Sequence, residues 1–464
     1  MEIQPVIGKL LQPELTELIK RRGFTELREI LCGFPPPDIA EIFTDLNAED
    51  EAVLLRILPH RLATEVFGYL SLEDQEQLLY ALGNEQVAQI LNDVAPDDRT
   101  ALLEELPAAA TQKLLNLLSP EQRKIAATLL GYPKDSIGRR MTPEYIAIQQ
   151  NWTVADVLAH LRKVGRDKEI RNQLYVVDGK GKLVDSVRLR NLVVAELDKP
   201  VAGLLDHQPV TLRATDDQET AVAAFKKYDR TVLPVIDSED VLVGAITVDD
   251  VLDVAEQEAT EDIQKMGGME ALDGPYLKIG MTTMIRKRAG WLAVLFLGEM
   301  LTATAMGYFE DEIAKAVVLA LFVPLIISSG GNSGSQATSL IIRALAVRDI
   351  TLRDWFRVMR REAVAGLALG CVLASIALLR ILLWPHREQV YGPHYILVAA
   401  TVACSLIGVV LFGSLAGSML PFALRRLGFD PAAASAPFVA TLVDVTGLVI
   451  YFTIAYQILH GTLL

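Results

Sequence analysis

An acidic side chain stands in the middle of the last long apolar run of the chain, residues 438–459. Asp444 is the one acidic residue of this run, which is long enough to cross a bilayer. An ionised carboxylate at the centre of a membrane span costs about 2.5–3.5 kcal/mol on insertion scales. We therefore predict an ion pathway or a buried partner at Asp444, and Ala440, one helical turn earlier, would share its face.

A dense row of carboxylates, DDVLDVAEQEATED, occupies residues 249–262. On one helix, Asp250, Asp253 and Glu261 lie near a common face, where like charges repel each other. Two interpretations stay open. The row is either a solvated polar face or a site for a hard divalent cation, which prefers carboxylate oxygens.

A further acid in an apolar setting is Glu299, within the segment GWLAVLFLGEMLTATAMG. A buried pair with a basic residue or a hydroxyl of a neighbouring span is one explanation, and a role in ion passage is the other. The residues alone do not decide between them.

Small and amide-bearing residues, SSGGNSGSQ, follow the apolar run 317–327. At membrane depth such residues permit close helix packing or expose backbone to a water-filled cavity. For Gly330, Gly331 and Gly334 both interpretations stay open. Pro324 is predicted to kink this second span.

The distribution of charge divides the chain into a soluble module and a membrane module. Up to about residue 288 the sequence is charged and acidic, whereas apolar runs of membrane length dominate beyond it. The 464 residues leave room for several domains, and the net charge of -14 argues against nucleic acid and favours cations as partners. An enzyme is not expected, because the sequence has no Ser/His/Asp order, no Gly-rich phosphate loop and no His cluster.

Five apolar segments are predicted to cross the membrane, at about 291–307, 316–345, 363–383, 395–420 and 438–459. Basic residues cluster before the first segment, after the second and after the fourth, whereas the loop after the first carries Glu310, Asp311 and Glu312. The basic junctions belong inside. The chain is therefore predicted to be a multi-pass protein of the cell (inner) membrane, with a cytoplasmic N-terminal half and an extracytoplasmic C-terminus.

Residues up to about 131 repeat a unit of roughly two dozen residues with two short amphipathic helices each. One unit cannot bury its own apolar stripe, so we predict a stacked superhelix. This part would serve as an interaction or gating scaffold, or would bind metal directly through loop acids such as Asp93, Asp97 and Asp98.

From residue 141 to about 257, short β runs alternate with helices in two copies. Such a tandem resembles a pair of CBS domains, whose G-x-x-[ST]-x-x-D signature lets the backbone approach a nucleotide. The second copy keeps Gly244, Thr247 and Asp250, whereas the first has Asp185, Arg188 and Asn191 in the matching places. The resemblance implies ATP or another adenine nucleotide as a ligand, at Thr247 and Asp250, with a purely structural pair as the alternative.

The order of these parts resembles the MgtE family of magnesium channels over essentially the whole chain. The stretches that carry the resemblance most specifically are VPLIISSGGNSGSQATSLIIRALA, LPFALRRLGFDPA and ATLVDVTGLVIYF. The resemblance implies a multi-domain membrane protein: an N-terminal α-helical superhelical repeat domain (1–132), tandem α/β CBS domains (133–200 and 201–256), a connecting plug helix (257–287) and a transmembrane domain of five helices (288–464).

The resemblance also implies a homodimer in membrane lipid, with one Mg2+ pore lined mainly by the second and fifth spans. The pore residues that it assigns are Asp444, as the selectivity residue, Asn332, Ala440 and Gly331. Cytoplasmic Mg2+ would close the pore by binding acidic residues of the repeat, CBS and plug regions. These are Asp93, Asp97, Asp217, Glu219, Asp229, Asp250, Asp253, Glu258, Glu261 and Asp430.

Two other functions compete with this expectation. The membrane part could exchange a divalent cation against Na+ or H+. Alternatively, the CBS pair could mainly read an adenine nucleotide, with ion passage secondary.

Overall fold

The computed structural model of the chain describes residues 14–15, 17–44, 46–165, 168–205, 209–272, 276 and 279–463. These residues form two units, Met1–Ala255 and Glu256–Leu464, and the division falls within one long helix. The first unit contains the repeat helices and two small sheets, and the second contains the long apolar helices.

The first unit begins with short helices of eight to eleven residues. They are α1 (Phe24–Leu31), α2 (Pro36–Thr44), α3 (Ala48–Ile57), α4 (His60–Gly68), α5 (Leu72–Ala81), α6 (Asn84–Asp93), α7 (Pro96–Glu105), α8 (Ala108–Leu117) and α9 (Pro120–Leu130). Side chains of Asn47, Ser71 and Ser119 cap α3, α5 and α9 by accepting a hydrogen bond from a backbone N–H three residues later. The buried leucines of successive helices form one continuous core, which confirms the predicted helical repeat.

A buried arginine ties neighbouring repeats together. Arg99 is fully buried, and its guanidinium donates to the carbonyl oxygens of Leu91 and Val94 at 3.0 and 3.3 Å and to Gln122 Oε1 at 2.7 Å. A buried guanidinium needs such acceptors to offset its desolvation.

Two three-stranded sheets follow, which confirms the tandem α/β pair. After α10 (Ile137–Arg140), the first copy has β1 (Ile146–Gln149), α11 (Val154–Val164), β2 (Gln173–Val177), β3 (Leu183–Arg188) and α12 (Leu189–Val193). The second has β4 (Leu212–Arg213), α13 (Gln218–Tyr228), β5 (Val232–Ile236), β6 (Leu242–Thr247) and α14 (Val248–Met266). In each sheet the first two strands are parallel and the last two antiparallel.

Gly244 is needed for a chain crossing within the protein. A Cβ at this position would lie 2.7 Å from Met141 Sδ and 2.9 Å from the carbonyl oxygen of Thr142. Thr142 also exchanges two backbone hydrogen bonds with Ala245, at 2.8 and 2.9 Å. The glycine therefore admits the segment that enters the first copy, whereas the sequence interpretation had assigned this space to a nucleotide.

The second unit consists mainly of long helices. They are α15 (Met281–Tyr308), α16 (Glu310–Lys315), α17 (Val317–Ala320), α18 (Val323–Ala346), α19 (Trp355–Leu383), α20 (Arg387–Tyr391), α21 (Tyr395–Arg426) and α22 (Ala436–Leu459). By length and composition, five helices in the described part of the chain could cross a membrane, which matches the five predicted spans. Pro324 lies in the first turn of α18, after the break at Leu321 and Phe322. The second span is thus broken in the turn before Pro324, which agrees with the kink predicted there, because a proline removes a helical hydrogen bond to the preceding turn.

Glycines bring α18 and α21 into backbone contact. A Cβ on Gly413 would lie 2.3 Å from the carbonyl oxygen of Gly330, and a Cβ on Gly417 would lie 2.2 Å from that of Gly334. Ser333 Oγ and Ser414 Oγ are hydrogen-bonded at 2.7 Å across the same interface. For Gly330 and Gly334 the structure therefore shows the close-packing role that small residues have between membrane helices.

Candidate functional site

Three of the predicted pore residues lie together between α18 and α22. A Cβ at Gly331 would be 3.5 Å from Ala440 Cβ and 3.9 Å from Asp444 Oδ1. Asp444 is half-buried, whereas Asn332, the residue after Gly331, is exposed in the single chain. The small residues at the first two positions let α18 and α22 approach each other closely beside the Asp444 carboxylate.

Glu299 reaches the same place from the first long helix. A Cβ at Gly298 would lie 2.8 Å from Thr441 Cγ2, so the glycine lets α15 pack closely against α22. The neighbouring Glu299 then lies within hydrogen-bonding range of Asp444. Glu299 therefore contacts a second acid, whereas the sequence analysis suggested a basic residue or a hydroxyl as its partner. Two carboxylates in range of each other need a proton or a cation between them, because ionised carboxylates only accept hydrogen bonds.

A group of acids gathers in the first unit around Asp97 at the start of α7. Asp97 is 6% exposed, and its Oδ1 atom is buried with no hydrogen-bond partner among the residues that the structure describes. Asp250, in the first turn of α14, lies within hydrogen-bonding range of Asp97, and Asp98 and Glu169 contribute further negative charge. We call these four residues the acidic cluster.

The acidic cluster holds its protons unusually tightly. Burial and the charge of Asp250 raise the pKa of Asp97 well above its ordinary value. Loss of hydration raises the pKa of Asp250 and Asp98 to about 6 and that of Glu169 to about 7, with the neighbouring carboxylates adding to the effect. Such shifts occur where like charges share a desolvated space. A divalent cation would neutralise this charge, and a buried orphan carboxylate oxygen such as that of Asp97 is the ligand type it requires.

Sequence reasoning missed Glu169. It lies in the connection between α11 and β2, outside both the repeat and the acidic row, so no periodic signal marks it. Only the fold brings it to Asp97. Among the residues that the structure describes, no three His, Cys, Asp or Glu side chains are arranged so that they could hold a metal ion as they stand.

The remaining predicted regulatory residues lie elsewhere. Asp93 Oδ2 accepts a 2.6 Å hydrogen bond from His60 Nε2. Asp217 caps α13 by accepting from the Glu219 N–H at 2.8 Å, whereas Asp229 ends the same helix with a left-handed φ of 50°. The length of α13 separates these two ends, so the single chain does not bring them to one point.

Two residues predicted to hold a nucleotide are engaged with each other. Asp250 Oδ2 accepts from the Thr247 N–H at 3.3 Å and from the Thr247 hydroxyl. This pairing caps α14. Two cavities lie instead between the two copies of the CBS pair: one of about 300 Å³ and one of about 610 Å³ share Gln173, Arg188 and Arg190.

The smaller cavity carries positive charge. Arg188, Arg190 and Arg230 line it together with the Ser186 and Asn191 side chains. Three guanidinium groups form a donor array suited to phosphate. Arg188 and Asn191 are the residues that stand in the signature positions of the first copy, where the sequence interpretation gave less reason to expect a ligand.

In the second unit, Glu261 and Asp430 converge on a lysine. Lys265 Nζ donates to Asp430 Oδ2 at 2.6 Å and also pairs with Glu261 one helical turn earlier. Burial together with Asp430 and Glu258 raises the pKa of the adjacent Asp262 to about 6. Asp253 and Glu258 lie on the same helix, α14, with Asp253 exposed and Glu258 half-buried.

Family models match most of the chain. A model described as "Divalent cation transporter" matches residues 323–454, "MgtE intracellular N domain" matches 34–135, and "CBS domain" matches 135–198 and 201–256. The order of matches agrees with the order of the structural parts.

Similar proteins match this chain over about three quarters of its length. The chain is 44% identical over 333 residues to the magnesium transporter MgtE of Thermus thermophilus, covering 72% of each protein. It is 31% identical over 342 residues to the magnesium transporter MgtE of Bacillus subtilis, covering 73% of each.

Solved structures match the soluble part. One is the cytosolic domain of the Mg2+ channel MgtE in complex with ATP, with a TM-score of 0.50 and 38% identity, covering 52% of this chain and 98% of that one. Another is the soluble part of a magnesium transporter, with a TM-score of 0.51 and 28% identity, covering 54% of this chain and 99% of that one.

The apolar helices and these relatives agree on a multi-pass membrane protein with soluble N-terminal domains. The resemblance inferred from the sequence is confirmed, and the chain belongs to the MgtE family of divalent cation transporters.

Proposed function

We propose that the protein is a Mg2+-selective channel whose pore passes Asp444. The observation that carries this is the convergence of Gly331, Ala440 and Asp444 between two helices of a membrane unit. Mg2+ sheds its water reluctantly and suits a site with few carboxylates that grips the hydrated ion. In a homodimer, one Asp444 from each subunit would provide such a ring.

The soluble part would close the channel when cytoplasmic Mg2+ is high. The acidic cluster is the best-supported regulatory site, because the unpartnered Asp97 Oδ1 atom and the neighbouring Asp250 carboxylate need a counter-charge. Mg2+ would favour the arrangement in which these carboxylates converge, and repulsion would disfavour it when the ion leaves. The N-terminal half would lie in the cytoplasm and the C-terminus outside, as the basic junctions predict.

The channel proposal is tested by electrophysiology of the reconstituted full-length protein. Asp444→Ala should reduce Mg2+ currents to background while the protein stays dimeric by size and scattering. Asp354→Ala, the same substitution at a half-buried capping residue just before α19, should leave currents near wild type. Unaltered currents in Asp444→Ala would contradict the pore assignment.

A cation exchanger is the second candidate, favoured by the Glu299 and Asp444 contact, which could carry a proton. Mg2+ flux driven by membrane potential alone, unchanged by a pH or Na+ gradient, would remove this candidate. Flux that requires either gradient would replace the channel by an exchanger.

An adenine nucleotide is proposed as a second ligand of the soluble part. The arginine-lined cavity supports this, as does the ATP complex of the similar cytosolic domain. We place its phosphates at Arg188, Arg190 and Arg230 rather than at Thr247 and Asp250, which cap a helix.

A further inference from the structure

The end of α14 is fixed to the start of the last membrane helix, α22. Gly268, two residues after α14, has a φ of 73°, and a Cβ there would lie 3.2 Å from Pro437 Cγ and 3.4 Å from Ser435 Oγ. Ser435 in turn caps α22 by accepting from the Phe438 N–H at 3.3 Å. The path from α14 to the helix that carries Asp444 is therefore short and closely packed.

An apolar contact reinforces this junction. Met266, the last residue of α14, packs against a cluster formed by Ile342, Ala432 and Ala434. Ile342 belongs to α18, and both alanines belong to the segment before α22. A displacement of the end of α14 would therefore disturb the packing of both α18 and α22, the helices that hold the candidate pore residues.

Asp430 is oriented for an ionic contact at the same junction. Its Oδ1 atom accepts from the Ala432 N–H at 2.8 Å, which caps the 3₁₀ turn Pro431–Ala433. Its Oδ2 atom accepts from Lys265 Nζ at 2.6 Å. One oxygen fixes the backbone and leaves the other to bind a cation.

The cation in this position is the ammonium of Lys265. It also pairs with Glu261, and the three side chains are 30%, 33% and 38% exposed for Lys265, Glu261 and Asp430. Glu261 and Asp430 are among the carboxylates to which the family resemblance assigns a regulatory Mg2+. A divalent ion cannot occupy the same oxygens while the ammonium remains between them, because the two cations repel each other.

We propose that Lys265 sets the Mg2+ affinity of the cytoplasmic gate by acting as an internal cation that competes with Mg2+ for Glu261 and Asp430. At low Mg2+ the ammonium occupies the two carboxylates. At high Mg2+ the divalent ion displaces it and bridges the two carboxylates more tightly. This inference rests on the proposed closure by cytoplasmic Mg2+. If Lys265 only stabilised the junction, its removal would instead raise the Mg2+ concentration needed for half-closure.

The test compares full-length variants in inside-out patches, with Mg2+ as the current carrier and the Mg2+ concentration on the cytoplasmic face varied. Lys265→Met keeps the aliphatic stem and removes the charge. The Mg2+ concentration for half-closure should fall roughly three- to tenfold, as expected when one partly exposed ammonium with two ion pairs is removed. Lys265→Arg keeps the charge and should stay near wild type.

Lys315→Met provides the matched control. Lys315 is an exposed residue of α16, and the same substitution there should leave half-closure unchanged. As an independent readout, the Mg2+-dependent rise in the unfolding temperature of full-length Lys265→Met should begin at lower Mg2+. Lys265→Gln repeats both measurements with a polar side chain.

The outcomes separate the two ideas. In one outcome the wild type closes normally while Lys265→Met needs the same or a higher Mg2+ concentration for half-closure. That result overturns the role of Lys265 but leaves the proposed closure by Mg2+ standing. A wild type that conducts equally at all cytoplasmic Mg2+ concentrations overturns the proposed closure and this inference with it.

Discussion

The carboxyl groups of Asp97 and Asp250 lie within hydrogen-bonding range, although one belongs to a repeat helix and the other to the helix that ends the CBS pair. Two acids from separate elements are thus held together by the fold. Burial of Asp97 makes this contact costly when both groups are ionised.

Asp97→Asn should therefore stabilise the protein without Mg2+ and weaken its response to Mg2+. Removing the buried charge is expected to raise the unfolding temperature in EDTA by roughly 2–4 °C. The further rise on adding Mg2+ should shrink, because a ligand is lost. Thermal unfolding of the full-length protein in detergent measures both. Glu239→Gln, the same charge change on an exposed turn, should alter neither. A normal Mg2+ response in Asp97→Asn would argue against the acidic cluster as a sensor.

The stability of the soluble part should depend on pH in the absence of divalent cations. Asp250 and Glu169 have folded pKa values of about 6 and about 7, raised from ordinary values of 3.8 and 4.5. A raised acid pKa means that the folded state binds protons more tightly than the unfolded state. Its stabilising contribution is complete below about pH 4 and is lost as the pH rises through 6 to 7.

We accordingly expect the unfolding temperature in EDTA to fall between pH 5 and pH 8 and the fall to be smaller with Mg2+. Asp97→Asn should flatten the dependence in EDTA, since one interacting charge is gone. An unfolding temperature that stays constant or rises over this range without divalent cations would contradict the protonation of the acidic cluster.

Gly413→Ala should disrupt the packing of α18 against α21. Its new Cβ would meet the carbonyl oxygen of Gly330 at 2.3 Å, and a backbone atom cannot move aside as a flexible side chain can. Overpacking of this kind costs about 1–3 kcal/mol. The unfolding temperature and the detergent-extracted yield measure the loss. Gly307→Ala, in α15 with no atom within 4 Å of the added Cβ, is the control and should stay near wild type. Equal stability of the two variants would mean that the helices are not in backbone contact.

Arg230→Ala should weaken nucleotide binding by at least roughly tenfold, because one charged hydrogen-bonding partner is lost from the cavity. Isothermal calorimetry of the full-length protein with ATP in EDTA measures the affinity. Arg213→Ala removes an exposed guanidinium that lies 3.7 Å from Asp240, and it should leave binding unchanged. ATP binding that is insensitive to Arg230 but lost in Thr247→Ala would return the site to the second copy.

The sequence predicted those features that depend on neighbours along the chain. The amphipathic period of the repeat, the two β-α copies and the five apolar runs are local patterns, and the structure has each of them. Asp444 was found in the same way, since a carboxylate among apolar residues of membrane length is anomalous before any fold is known.

Two assignments meet a neighbouring group that the sequence patterns did not indicate. Gly244 carries a nucleotide-binding signature, yet Met141 and Thr142 fill the space beside it. Asp430 and Glu261 were expected to share a metal ion, and Lys265 stands between them. Met141 and Thr142 lie on a connecting segment, and Asp430 lies in the loop before α22, so no helical or strand period specifies which residues these segments meet.

The sequence by itself therefore determined the kinds of element, their order and the presence of isolated charges in apolar surroundings, because helical and strand periods are set within a few residues. Tertiary structure alone decided which charges meet: Glu169 with Asp97, Glu299 with Asp444, and Lys265 with Asp430. Such encounters depend on helix packing at single glycines and on the path of connecting loops, which join residues far apart in the chain.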